Sequence, residues 1–128
     1  MPNANKAKGD RAERAVRDFL VAQGFTGTFK TRAGFDDDLG DVIVPRDPDP
    51  ATRSGFAVQV KDWATPAWKA WFSQLADQVR VGGHRHGVIW WKRRGSADPG
   101  TWTVMMAGDA FVDLLEDLGY PREAPDGD

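Results

Sequence analysis

No cysteine occurs in the 128-residue chain, which excludes a disulfide framework and a thiolate metal site. No run of eighteen or more apolar residues occurs either, so no transmembrane helix and no membrane partner are expected. The opening MPNANKAKGDRAER is polar and charged, unlike a signal peptide. There is no internal repeat and no low-complexity segment. A surplus of positive charge is missing too: 17 Lys and Arg against 19 Asp and Glu give a formal charge of -2. These absences predict a soluble cytoplasmic protein.

What is present suits a hydrophobic core. Apolar residues make up 41% of the chain, and six Trp and seven Phe add large burial units. The length suits one domain over 1–120, followed by an acidic, disordered tail over 121–128. Charge is unevenly spread. Seven acids and a single base, Arg122, fall between Asp109 and Asp128, which leaves 16 bases against 12 acids in residues 1–108. Phosphate affinity follows where basic groups cluster, not their total.

Periodicity divides the chain into alternating elements. Ala12, Ala15, Val16, Phe19 and Leu20 follow helical spacing, so a first helix is expected from about Asp10, as N-cap, to Gln23, with Gly24 as its stop. Strands are expected at Thr26–Arg32, Asp41–Val44 and Phe56–Lys61, the second ended by Pro45. Between the last two, PRDPDPATRSG reads as an exposed turn. A second helix begins with Thr65 as cap and Pro66 at its first position, and buries Trp68, Trp71, Phe72, Leu75 and Val79. GVIWW at Gly87–Trp91 is apolar throughout and reads as a central strand. Trp102–Met106 is a further strand and Asp109–Leu118 a last helix. The order α-β-β-β-α-β-β-α predicts an α/β (α+β) domain, a mixed sheet flanked by helices.

Three pieces carry chemistry: Glu13 in the first helix, Asp41 opening one strand, and Gln59-Val60-Lys61 closing the next. Residues i and i+2 of a strand share a face, so Gln59 and Lys61 point one way and Val58 and Val60 the other. A hairpin of the two strands places Asp41 beside that polar pair, and the first helix can bring Glu13 to the same edge. Oxygen donors suit a hard cation such as Mg²⁺. Asp41, the Gln59 amide and the Val60 backbone carbonyl would supply them. Such a cation polarises a phosphate and activates a bound water. Lys61 would orient that water and offset transition-state charge, and Glu13 would hold a metal-bound water or a second cation.

The order KGDxxERxVxxFLxxxGF, RAGxxxxxGDVIV, FAVQVKD, helix, GVIWWKRRG resembles the phage- and archaeal-type Holliday-junction resolvases of the PD-(D/E)xK nuclease superfamily. The resemblance spans about Lys8 to Leu118. It implies a restriction-endonuclease-like fold, Mg²⁺ or Mn²⁺, branched DNA as substrate and a homodimer with two active sites. The family's helix glutamate falls on Glu13, its metal aspartate on Asp41 and its lysine on Lys61. The chain departs from the pattern at Gln59, where the family usually has glutamate, and an amide is a poorer ligand than a carboxylate. Two alternatives stand beside this reading: a restriction- or repair-type nuclease acting on other DNA, and a catalytically inactive DNA-binding module of the same fold.

Simpler roles compete at each position. Asp10-x-x-Glu13 matches a capping pattern, Asp41 suits a turn, and a strand-ending Lys61 suits a solvated edge. Asp36, Asp37 and Asp38 read as a solvated loop. His84 and His86 are expected exposed in a loop. Lys92, Arg93 and Arg94, with Lys6, Lys8, Arg11 and Arg32, form a candidate basic surface for DNA phosphates. Trp63 is expected to be partly buried, with base stacking or a dimer contact as its other uses.

Overall fold

Helix α1 spans Ala4–Ala22 and starts well before the apolar periodicity that defines its buried face. Ala4, Lys6, Ala7 and Lys8 are good helix formers and carry it past the expected cap. Asp10 and Glu13 are therefore interior helix residues, and the capping pattern is not used. Gly9 also lies inside α1, and among the described residues no atom beyond its neighbours and the helix's own backbone sits within 4 Å of where its Cβ would be. Gly9→Ala is therefore expected to stabilise the protein by about 0.5–1 kcal/mol, read from its urea midpoint.

The computed structural model describes residues 4–31, 41–47 and 54–123. After α1 come β1 (Phe29–Lys30), β2 (Val42–Pro45), β3 (Gly55–Lys61), α2 (Trp68–Gly82), β4 (His86–Trp91), a 3-10 turn at Pro99–Thr101, β5 (Thr103–Met105) and α3 (Gly108–Asp117). The expected mixed α/β order is present, with the 3-10 turn added. The five strands lie in sequence order across one sheet. All neighbours are antiparallel except β3 and β4, and α2 supplies the crossover that a parallel pair requires. β4 has a strand on each side, as its unbroken apolar run predicts.

Several boundaries differ from the sequence reading, for local reasons. Thr28 returns both its N–H (3.1 Å) and its hydroxyl (2.7 Å) to the Phe25 carbonyl, so a turn takes residues expected in β1. Pro45 belongs to β2 rather than ending it. It pairs only with Gly55, and β1 partners no residue of β2 beyond Ile43, so its missing N–H leaves no ladder bond unmade. α2 begins at Trp68, its cap residue Ala67 offers no side-chain hydrogen bond, and Thr65 and Pro66 precede it. Gly83, at φ +63°, closes α2 by donating to the Arg80 and Val79 carbonyls.

The period-two alternation of β3 builds two layers. Val58 and Val60, with Val42, Val88 and Trp90, face Ala12 and Val16 of α1. Ile89 on the other face meets Trp71 and Leu75 of α2. Trp68 is 39% exposed, not buried as its helical spacing suggested, because it lies at the rim of this layer, edge-on to Trp71 and Trp91. The expected exposed histidines are in fact buried. His84 Nδ1 accepts the Gly55 N–H at 3.0 Å, and His86, the first residue of β4, places Nε2 2.7 Å from Asp117 of α3.

Candidate active site

The β2–β3 hairpin aligns Val42 with Val58, so Asp41 stands at the mouth of the hairpin opposite the end of β3. Its N–H donates to the Val58 carbonyl at 3.0 Å, and its carbonyl accepts the Thr31 N–H at 3.0 Å. Its carboxylate Oδ2 accepts the Val60 N–H at 2.8 Å. Two bonds thus fix the Asp41 main chain, and one backbone N–H, that of Val60, holds its carboxylate. Burial pushes its pKa up, while the Val60 N–H, Lys61 and Lys30 pull it down.

Glu13 of α1 reaches the same corner from the valine side of the sheet. Burial, then the Asp41 carboxylate, raise its pKa to about 7, against the opposing pull of Lys30. Lys30 Nζ lies 3.9 Å from Glu13 and 3.7 Å from Asp10. Lys61 closes β3 on the α2 side, its Nζ 3.4 Å from Gln74 Oε1 and 5.7 Å from the centre of the Trp71 ring. Burial lowers its pKa, and Asp41 and Glu13 oppose that shift. Asp41, at the strand edge, therefore joins electrostatically two groups that lie on opposite faces.

Gln59 is fully buried, and its Nε2 donates to Gln78 Oε1 of α2 at 3.2 Å. Among the described residues its own Oε1 has no hydrogen-bond partner. A buried polar atom left this way costs about 1–3 kcal/mol, so it calls for a ligand or a compensating role. Val60 presents N–H and carbonyl to one side of β3, the Asp41 side, because the next carbonyl, that of Lys61, faces β4 and accepts the Lys92 N–H at 2.8 Å. Among the described residues no three His, Asp or Glu side chains are grouped to hold a metal ion. A cation here would need the Gln59 and Val60 oxygens as well as the acids.

The basic residues separate into two sets. Lys8 and Lys92 both approach Asp62, at 3.6 Å each, and Arg94 lines a cavity with Lys8 and Lys61. Arg93 is exposed beside them. Lys6 and Arg11 are exposed on α1. Neither residue lines that cavity. Arg32, Asp36, Asp37 and Asp38, and tail residues 124–128, lie outside the described residues.

Sequence reasoning overlooked Lys30, Gln74 and Gln78. Gln78 had a readable signal: a polar residue on the Trp71–Leu75 stripe, seven residues after the first, is directed into the core. Lys30 had none, since its role depends on β1 pairing with Val42.

The raised Glu13 pKa has a thermodynamic consequence. Between the unfolded value of 4.5 and the folded value of about 7, the native state binds more protons than the unfolded state. Stability must then fall as pH rises through that window, by at most about 3 kcal/mol from this group, whose side chain is only 16% exposed. Asp41 shifts in the same direction. Asp117, held below the ordinary carboxylate value by Arg85, titrates beneath the window. Urea midpoints should therefore be higher at pH 5 than at pH 7.5, and Glu13→Gln should flatten the profile.

Comparison of the chain with family models, curated proteins and solved structures finds no match.

Proposed function

We propose that this chain is a metal-dependent DNA endonuclease of the PD-(D/E)xK type, cutting branched DNA such as four-way junctions as a homodimer. The observation that carries the reading is a buried Asp41 at the end of the hairpin, coupled electrostatically to Lys61 on one face of the sheet and to Glu13 of raised pKa on the other. Perturbed acids and a perturbed lysine around one edge suit phosphodiester hydrolysis.

The unpartnered Gln59 Oε1 and the Asp41-facing Val60 carbonyl fit the oxygen donors that Mg²⁺ or Mn²⁺ takes. Asp41, Gln59 and Val60 would hold the ion, with Glu13 beside them. When bound, the ion supplies charge to the phosphate and lowers the pKa of a water. Asp41, pinned by the Val60 N–H, keeps its position as charge changes around it. Without the ion, burial and the Asp41 charge hold the Glu13 pKa up, and the charge of a bound cation would favour its carboxylate form. Lys61, steadied by Gln74, places a cation beside the developing phosphorane charge.

The test is incubation with labelled four-way junction, flap and duplex DNA in Mg²⁺ or Mn²⁺. Paired symmetric nicks in the junction support the reading. Equal cutting of duplex removes the branched preference and leaves a restriction- or repair-type nuclease. No cutting of any DNA overturns the enzyme. The bond from Gln59 to Gln78 favours one second reading, a non-catalytic DNA-binding module in which the amide is a core element. DNA binding without any heat on Mn²⁺ titration would select it.

A further inference from the structure

We propose that Trp63 stacks on an uncovered base face beside the cut phosphate, so that the substrate is DNA with a branch point or strand end and not continuous duplex. The proposal rests on the nuclease reading above and adds a specificity residue to that site.

Trp63 follows Lys61 by two positions and is 57% exposed. Its main chain is fixed, because the Trp91 indole N–H donates to its carbonyl at 2.8 Å. Trp91 is itself held in an aromatic group, 5.1 Å from Trp68 and 6.3 Å from Trp71 between ring centres. The ring is thus presented from an anchored loop.

Two cavities share Trp63 and Arg94. One, of about 140 Å³, contains Lys61, Lys8 and Asp62. The other, of about 260 Å³, contains Lys92 and Arg93. Five cations and one carboxylate therefore surround the ring, and that carboxylate, Asp62, is already shared by Lys8 and Lys92. A flat π-surface set among cations complements a polyanion that carries flat rings. Within a duplex every base face is covered by its neighbour. Where arms diverge or a strand ends, one face is bare, and an aromatic ring can cap it while Arg93 and Arg94 take the flanking phosphates.

The experiment measures binding without cleavage. Fluorescently labelled four-way junction, flap and covalently closed circular duplex DNA, which has no strand end, are titrated in EDTA with the full chain, Trp63→Ala, Trp63→Phe and Arg93→Ala/Arg94→Ala. Trp63→Ala should weaken junction and flap binding roughly 5- to 100-fold and leave duplex binding unchanged. Trp63→Phe should recover part of the loss, and the arginine variant should weaken all three DNAs alike. Unchanged branch preference in Trp63→Ala overturns the stacking proposal alone. So does an equal loss on all DNAs accompanied by a smaller sedimenting species, which assigns Trp63 to a contact between two copies. Absence of binding to any DNA by the unmodified chain overturns this proposal and the nuclease reading together.

Discussion

Lys61→Ala is expected to reduce single-turnover DNA cleavage by roughly 10²–10³-fold at saturating metal, the usual loss when one preorganised electrostatic group is removed. The side chain ends β3, touches Gln74 at 3.4 Å and lies over Trp71, so truncation removes little of the core. The loss should therefore appear in rate and not in the urea midpoint. Burial has already lowered the lysine's affinity for its proton, which places an ammonium where water screens it poorly. Lys61→Arg should not restore the rate, because a planar guanidinium cannot occupy the place of a compact ammonium. Asp41→Asn is the companion variant. It keeps an oxygen for the Val60 N–H and removes only the charge, so it should lose activity as severely while folding normally. It should also lower the pKa of Glu13, since the Asp41 charge is the second-largest cause of that shift. Full cleavage by either variant would remove the hairpin end as the catalytic site.

The fold was legible where apolar spacing alone determines it. β4 is an unbroken apolar run and lies inside the sheet, and the alternation of β3 placed Val58 and Val60 toward one layer and Gln59 toward the other. What could not be read depends on partners distant in sequence. His84 and His86 are hydrophilic residues beside a predicted turn, and contacts with residues distant in sequence, among them Gly55, Phe56 and Asp117 of α3, bury them. The start of α1 was misplaced because an N-cap signal at Asp10 outweighed the helix propensity of the residues before it. At the site, the strand period placed Lys61 and Gln59 together, and the hairpin placed Asp41 beside them. The same period could not show that Gln59 would spend its N–H on Gln78, a pairing set by the rotation of α2 over the sheet.

Gly55→Ala should be among the most destabilising single substitutions in the chain, at about 3 kcal/mol or more. A Cβ at this position would lie 2.0 Å from the Val44 carbonyl oxygen, 2.8 Å from the Arg46 nitrogen and 2.9 Å from Pro45 Cα. All three are backbone atoms, so no side-chain rotation relieves the contact, and β2 must move away from β3. Gly55 also ties three strands together. It pairs with Pro45 of β2, donates its N–H to His84 at 3.0 Å and accepts the Arg85 N–H at 3.1 Å at the start of β4. The contrast with other glycines makes the prediction specific. Gly87 would meet Val79 Cγ2 at 2.5 Å and Leu75 Cδ1 at 3.0 Å, side-chain atoms that can shift, so Gly87→Ala should cost less, about 1–3 kcal/mol. Gly9, with open space around it, should gain stability. Urea unfolding of the three alanine variants should therefore rank them Gly9, Gly87, Gly55 from most to least stable. A Gly55→Ala protein within about 0.5 kcal/mol of the parent would mean that the hairpin tolerates a displaced β2. The rigid placement of Asp41 against Val60, on which the catalytic reading depends, would then have to come from somewhere other than the strand pairing.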